Sequence, residues 1–455
     1  MTQKSKSAPS KNKGQGPEAE VSGPPIARLT RPFLHFMEKE SSSGLLLLAC
    51  AILALVVMNS GLAWWWESLW QTPVSFRLGD FELNKNVGLL INDGLMTLFF
   101  FVVGLEIKRE LVIGELQHVK AAFLPAMAAL GGMVAPALIY LGVLGDAEGQ
   151  SGWGIPMATD IAFVVGFLAL LGKRVPHGLK IFILSLAIVD DMGAVLVIAL
   201  FYTAQVSTVA LGVAALGLCL VLAANKLGVR SISVYIALGS IVWLACLKSG
   251  IHPTVAGVIL GLMTPVSALI PEKALWTRLE KRIEAHKRDK RAAWNANELE
   301  RLVTDARESI SPLERLESSM HPWVAFFIMP VFALANAGVA IAGDVWQSPV
   351  ALAITAGLVI GKPLGILVFS WVAVQTGSAR LPQGVDWALM AGASCLAGVG
   401  FTMSLFIASL GLPAELLEAG KLGTLLGSLI SACLGLGLLL WALKRQRLPS
   451  SPAHE

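Results

Sequence analysis

Long apolar stretches alternate with short polar connections along the whole chain. A bilayer core of roughly 30 Å takes about 20 apolar residues of helix to cross. Twelve stretches of that kind begin near Gly44, Val87, Ala121, Gly152, Leu179, Ser207, Ser231, Ile251, Pro322, Val350, Trp387 and Lys421. They predict an all-α polytopic membrane protein of twelve transmembrane helices. The fourth span, GWGIPMATDIAFVVGFLALLG, has Pro156 and Thr159-Asp160 in its middle, and the eleventh, LMAGASCLAGVGFTMSLFIASLG, has Gly398, Gly400 and Thr402 there. Interrupted spans in the middle of two three-helix groups, helices 3–5 and 10–12, are the pattern of inverted-topology repeats around a midplane site.

Two connections break the alternation. Residues 64–86 join the first two spans on the outer side; the tryptophans suit the membrane interface, and alternating Val74, Phe76 and Leu78, then Phe81 and Leu83, around Gly79-Asp80 predict an external β-hairpin that pairs with something else. Residues 266–320 hold eleven Lys/Arg and ten Asp/Glu without a sustained apolar face, and predict a solvated, charged cytoplasmic linker with some helix.

Composition narrows the class. Of 455 residues, 55% are hydrophobic and 15% charged, with a mean hydropathy of +0.68, well outside the range of soluble globular proteins. Residues 1–32 and 446–455 read as polar cytoplasmic tails around a twelve-helix domain over 33–445. Lys and Arg gather in the first tail and after each even-numbered span, as at Lys108-Arg109 and Lys173-Arg174, which places both termini in the cytoplasm. Five cysteines, all inside apolar spans and without metal-ligand spacing, are packing residues.

The candidate chemistry lies in charges that a bilayer disfavours. An ionisable residue within a span costs about 2.5–3.5 kcal/mol on insertion scales and tends to face a cavity or a partner. The set is Asp93, Asp160, Asp190, Asp191, His252 and Lys362, with Glu106 near a span end. Successive helix residues point about 100° apart, so Asp190 and Asp191 cannot face one small site together. One would line the ion path while the other turns to a neighbouring helix, where Lys362 is the mid-span lysine available; Asp190 is the favoured partner and Asp191 the alternative. Asp160, where a half-helix restarts, either caps exposed N–H groups or contacts the ion. His252 beside Pro253 reads as a packing residue before a proton carrier, and Asp93 as equally structural or on the pathway. Carboxylates are hard donors suited to Na⁺, Li⁺ or protons. No phosphate-binding loop GxxxxGK[ST] is present, so no nucleotide cofactor is implied and a gradient-driven carrier is the natural class. An intramembrane aspartyl protease would carry a GxGD-type motif, absent here, and a cation channel would draw its acids from symmetric subunits.

GLEIKREL, PMATDIAF, LAIVDDMGAV, LKSGIHPTVAG, HPWVAFFIMPVFALANAG, GKPLGI and GVGFTMSLFIASL, in this order, resemble the signature segments of the NhaA-type Na⁺/H⁺ antiporters over about Phe33 to Lys444. Those antiporters are themselves an example of the inverted-repeat architecture, so the two indications are not independent. The resemblance implies a bacterial inner-membrane antiporter that is not an enzyme and serves sodium and pH homeostasis. It would exchange Na⁺ or Li⁺ electrogenically for a larger number of protons, as a homodimer joined partly through the external hairpin. It also implies that Asp191 is the ion ligand, with Asp160 and Thr159 nearby, and that Asp190 pairs with Lys362, which either compensates charge or carries a proton. A cytoplasmic pH-responsive cluster maps onto Glu106, Arg109, Glu110 and Glu317, with His252 a further pH-responsive position. The linker over 266–320 is longer than the family's usual connection, and Glu314 and Ser318 stand where a lysine and a histidine often occur.

Overall fold

The computed structural model describes residues 40–78, 81–203, 207–229, 232–268, 270–288, 296–341 and 347–447. The expected tail over 1–32, most of that over 446–455, and the Gly79-Asp80 turn lie outside the described residues. Sixteen helices follow one another among those described. Helix α1 (Glu40–Met58) bends by 114° into α2 (Ala63–Gln71), and a two-stranded antiparallel sheet follows, β1 (Pro73–Leu78) with β2 (Phe81–Asn86), paired from Pro73 opposite Asn86 to Leu78 opposite Phe81. Then come α3 (Val87–Val112), α4 (Val119–Leu144), a 3₁₀ run over Gln150–Met157, α5 (Ile161–Leu171), α6 (His177–Phe201), α7 (Thr208–Lys226), α8 (Ile232–Ser249) and α9 (Pro253–Met263). Helices α10 (Glu272–Arg288) and α11 (Ala296–Glu308) precede α12 (Pro312–Asn336), α13 (Pro349–Gln375), α14 (Trp387–Ala397), α15 (Phe401–Gly411) and α16 (Ala414–Arg447).

Eight of these segments are long and apolar enough to cross a membrane, or ten if the bent pairs α1/α2 and α14/α15 each count as one span; α8 and α9 are shorter apolar helices. A polytopic helical membrane protein is thus present, with fewer full-length spans than the twelve expected.

Four expectations change in detail. The hairpin occupies Pro73–Asn86 and not 64–86: Ala63–Gln71 is helical, because its aromatic residues recur at helical spacing and Trp66 packs edge-on to Trp70 one turn later, ring centroids 5.4 Å apart. The first half of the fourth span is a 3₁₀ run, as suits a segment holding Gly152, Gly154 and Pro156. Helix α12 starts at Pro312, ahead of the expected Pro322, because Ser311 and Glu314 form a capping box whose polarity hides it from an apolar-run search. The last helix includes Gln446 and Arg447, so the second tail starts later than 446.

Glycines set the geometry that matters for the site. Gly357, Gly361 and Gly365 recur every four residues on α13, and a side chain on Gly361 would meet Pro136 of α4, while one on Gly365 would overlap the Gly131 carbonyl of α4. Small residues at this spacing let two backbones approach closely. A π turn over Gly357–Gly361 precedes Lys362 and Pro363, and another over Val324–Ile328 precedes Pro330. In both cases widening the turn relieves the clash of a proline ring with the carbonyl four residues back. Gly365→Ala is therefore expected to destabilise the fold by about 1–3 kcal/mol. Thermal unfolding in detergent should show a clearly lowered midpoint for this variant, whereas Gly142→Ala, with nothing near the added methyl group, should melt close to the unsubstituted chain.

Candidate ion-exchange site

Two broken segments meet at the centre. The fourth span lapses from helix between Met157 and Ile161, and the eleventh between Ala397 and Phe401, where α14 and α15 are bent by 45°. Each break frees N–H groups at one new helix end and carbonyls at the other, and without water those groups need partners from the protein.

Asp160 serves the positive ends of both half-helices. Its Oδ1 accepts from the Phe163 N–H at 3.3 Å, capping α5, and its Oδ2 accepts from the Thr402 N–H at 3.0 Å and from the Thr402 hydroxyl in the first turn of α15. Its own N–H donates to the Val399 carbonyl at 2.7 Å. The carbonyl ends are served differently. Thr159 Oγ1 donates to the Ala397 carbonyl at 3.0 Å, and Lys362 Nζ donates to the Met157 carbonyl. Ser404 Oγ reaches the Ile155 carbonyl at 2.7 Å, and the Phe401 N–H reaches Ser428 Oγ at 3.0 Å.

Lys362 is fully buried, and its Nζ lies 2.6 Å from Asp190 Oδ2 of α6. Asp191 is equally buried; Oδ1 of Asp191 and Oδ1 of Asp190 both lack a hydrogen-bond partner in the protein, but Lys362 holds Asp190 through its other oxygen and not Asp191. The charges of Asp190, Glu106, Asp160 and Lys362 all act on it. A buried carboxylate oxygen without a donor is the arrangement a cation or a proton would complete. No three His, Cys, Asp or Glu side chains gather as a metal site among the described residues, so a cation at Asp191 would draw further ligands from Asp160, hydroxyls and carbonyls at the breaks.

The remaining candidates form two other groups. Near the far end of α3, Arg109 Nη1 lies 2.5 Å from Glu317 Oε1 of α12 and Nη2 lies 3.4 Å from Glu110 Oε1. Glu106, one turn earlier, feels the charges of all three. Asp93 sits near the start of α3, thirteen residues or about 20 Å of helix rise from Glu106. It pairs with Lys85 of β2 and lies 3.7 Å from His252 Nε2. The Asp93 carbonyl accepts from Thr97 Oγ1 at 2.5 Å and from Trp243 Nε1 at 3.2 Å. His252 caps α9, its Nδ1 2.8 Å from Thr254 Oγ1, and its ring packs edge-on to Phe406. Asp93 and His252 thus stand apart from the central carboxylates.

Sequence reasoning missed Thr402 and Lys85. Thr402 was visible only as part of a break, since nothing local says which residue across a crossing will meet Asp160.

A bundle with crossed breaks, balanced by buried acids and one lysine, defines an ion-coupled carrier of the membrane. The profile of the Na+/H+ antiporter 1 family matches residues 34–439, and the chain belongs to that family. It is 49% identical to the Na(+)/H(+) antiporter NhaA of Rhodopirellula baltica, over 92% of this chain and 96% of that protein. It is also 48% identical to the Na(+)/H(+) antiporter NhaA of Rhizobium meliloti, over 90% and 94%. Na(+)/H(+) antiporter NhaA 1 of Acidiphilium cryptum is 45% identical over 94% and 96%.

Removing one partner of a buried ion pair leaves an uncompensated charge and costs about 3–5 kcal/mol, while replacing both partners by neutral groups costs far less. Lys362→Met should therefore lower the unfolding midpoint more than Lys362→Met with Asp190→Asn. A double-mutant cycle on thermal stability would measure this, and additive losses would mean that the two groups are not coupled.

Proposed function

We propose that the chain is a Na⁺/H⁺ antiporter that exchanges cytoplasmic Na⁺ or Li⁺ for external protons by alternating access. It is a transporter and not an enzyme. Family membership over nearly the whole chain supports the class, and the single observation carrying the site assignment is that buried Asp191 has an unpartnered Oδ1 and, unlike Asp190, no lysine holding its other oxygen. In this reading Asp191, with Asp160 and Thr159 close by, holds either the cation or protons. The two compete for the same oxygens, and that competition is sufficient for exchange. With the site open to the cytoplasm, Na⁺ displaces protons; after reorientation, external protons displace Na⁺. Asp190 and Lys362 hold the crossing together, and Lys362 carries a proton if its pair opens during the cycle. Two or more protons against one cation would make the exchange electrogenic.

The same reading takes α1, α8, α9 and the α14/α15 pair as spans alongside the eight long segments, twelve in all. The third to fifth and the tenth to twelfth spans form its inverted repeats, and both termini lie on the cytoplasmic side of a bacterial inner membrane. Two copies associate partly through β1 and β2, whose two strands alone would be marginally stable. Arg109, Glu106, Glu110 and Glu317 set the pH response from the cytoplasmic end, while Asp93 and His252 stand at the outer end of the pathway.

In everted vesicles, Asp191→Asn should abolish the Na⁺-induced dissipation of ΔpH at every pH tested. Normal exchange in that variant would remove Asp191 as the ligand. Glu317→Gln frees Arg109 of one carboxylate, and it should displace the pH profile of exchange while leaving the maximal rate within about twofold, a factor of two corresponding to only about 0.4 kcal/mol in the barrier. An unchanged profile would exclude the pair from the pH response.

A further inference from the structure

The charged connection between α9 and α12 is a helical hairpin with two unlike faces. Leu275 and Leu279 of α10 and Leu302 of α11 are half-buried. Arg278 and Arg282 of α10 reach Asp305 of α11, at 3.0 and 3.3 Å. At about 100° per residue, Trp276 and Ile283 lie on the flank of the seam opposite those arginines, and Leu299, Val303 and Ala306 lie on the flank opposite Asp305. Because Asp305 meets the arginines, the two apolar flanks share one side of the hairpin. Their side chains are open to the surroundings: Trp276 59%, Ile283 44%, Leu299 48% and Val303 50%, with Ile310 at 47% just beyond α11. The ion pairs occupy the other side.

The hairpin is also tethered to membrane helices at both ends. The Leu313 N–H donates to the Pro265 carbonyl at 3.2 Å and the Ile270 N–H to the Glu308 carbonyl at 3.1 Å, closing its base, where Ile270 and Leu313 are buried. Ile310 immediately precedes Ser311, the cap of α12, so the foot of the apolar face stands at the mouth of a membrane segment. A pair of helices that is apolar on one side, ion-paired on the other, bears a tryptophan on the apolar side and cannot leave the membrane end of its neighbours has the character of an interfacial element.

We propose that this hairpin lies on the bilayer, with Trp276, Ile283, Leu299, Val303 and Ile310 seated at the boundary between lipid headgroups and acyl chains. The partner is the lipid surface itself, whichever cation the chain carries. The same element is fastened to α12, which carries Glu317, by an Arg315 Nη1 to Arg307 carbonyl bond of 3.3 Å.

The test is a pair of spin labels on the full-length chain in phosphatidylethanolamine/phosphatidylglycerol nanodiscs, at Val303→Cys and at Arg301→Cys on the opposite side of α11, with the five native cysteines replaced by alanine and exchange activity checked first. Collisions with oxygen, which concentrates in lipid, should dominate at 303, and collisions with the polar nickel complex NiEDDA should dominate at 301. The ratio of the two should differ several-fold between the sites. Equal, water-like accessibility at both positions would overturn the proposal. Shielding of position 303 from both reagents would also overturn it, since the face would then be covered by protein, either a second copy or another segment of this chain.

Discussion

The ammonium group of Lys362 is fully buried between an aspartate and a helix-end carbonyl, and most of the central architecture follows from accommodating it. A charge in that position is tolerable only when geometry supplies opposite charge and hydrogen bonds at once. Asp190 Oδ2 supplies the first and the Met157 carbonyl the second. The carbonyl is free to accept because the fourth span is broken after Met157, while the aspartate comes from α6. The lysine can reach them because Gly357, Gly361 and Gly365 let α13 press against α4, while the π turn before Pro363 adjusts the angle at which the side chain departs. The glycine stripe, the proline, the break and the adjacent aspartate are parts of one electrostatic solution.

That solution divides the labour among four polar side chains. Asp160 compensates the N-terminal ends of both half-helices, Thr159 and Lys362 take a carbonyl end each, and Asp190 neutralises the lysine. Each half-helix end carries about half a charge, so leaving one bare in this medium would be costly. After this assignment Oδ1 of both Asp190 and Asp191 is left without a donor, and Asp191 is the one of the two that Lys362 does not hold through its other oxygen. Adjacency in sequence therefore leads to different surroundings: one aspartate is paired with Lys362 and its neighbour is not.

Much of this was legible in the chain, for definite reasons. Spans announce themselves because the bilayer enforces an apolar run of fixed length, and Asp160, Asp190, Asp191 and Lys362 stood out because a membrane makes every buried charge expensive. Breaks were readable from Pro156 and Gly398 to Gly400. What could not be read were pairings across the fold. Thr402 meets Asp160 from 242 residues away, and Lys85 finds Asp93 because a hairpin folds back on α3. Local competition hid other features: the tryptophans of α2 look equally suited to a strand end or a helix, and the capping box at Ser311 starts a helix ten residues before its apolar stretch. The linker's two-sided character was masked by its charge, since the apolar positions Leu299, Leu302, Val303 and Ala306 recur at helical spacing but are few among many Lys, Arg, Asp and Glu.

The bonds around the site differ in kind according to direction. Within the crossing, Asp160, Thr402, Lys362 and Asp190 are held by directional, charge-assisted bonds whose loss would strand charges or helix ends in an apolar medium. Between α6 and α3, the contacts flanking the two aspartates are apolar: Val103, Ile107 and Ile188 form one cluster, with Val189 and Met192 packed against it. Apolar contacts carry no direction and lose little when they slide, provided that the area stays covered. The crossing is therefore held by directional bonds and its packing against α3 by non-directional ones. Asp191, on α6, lies between these two kinds of contact.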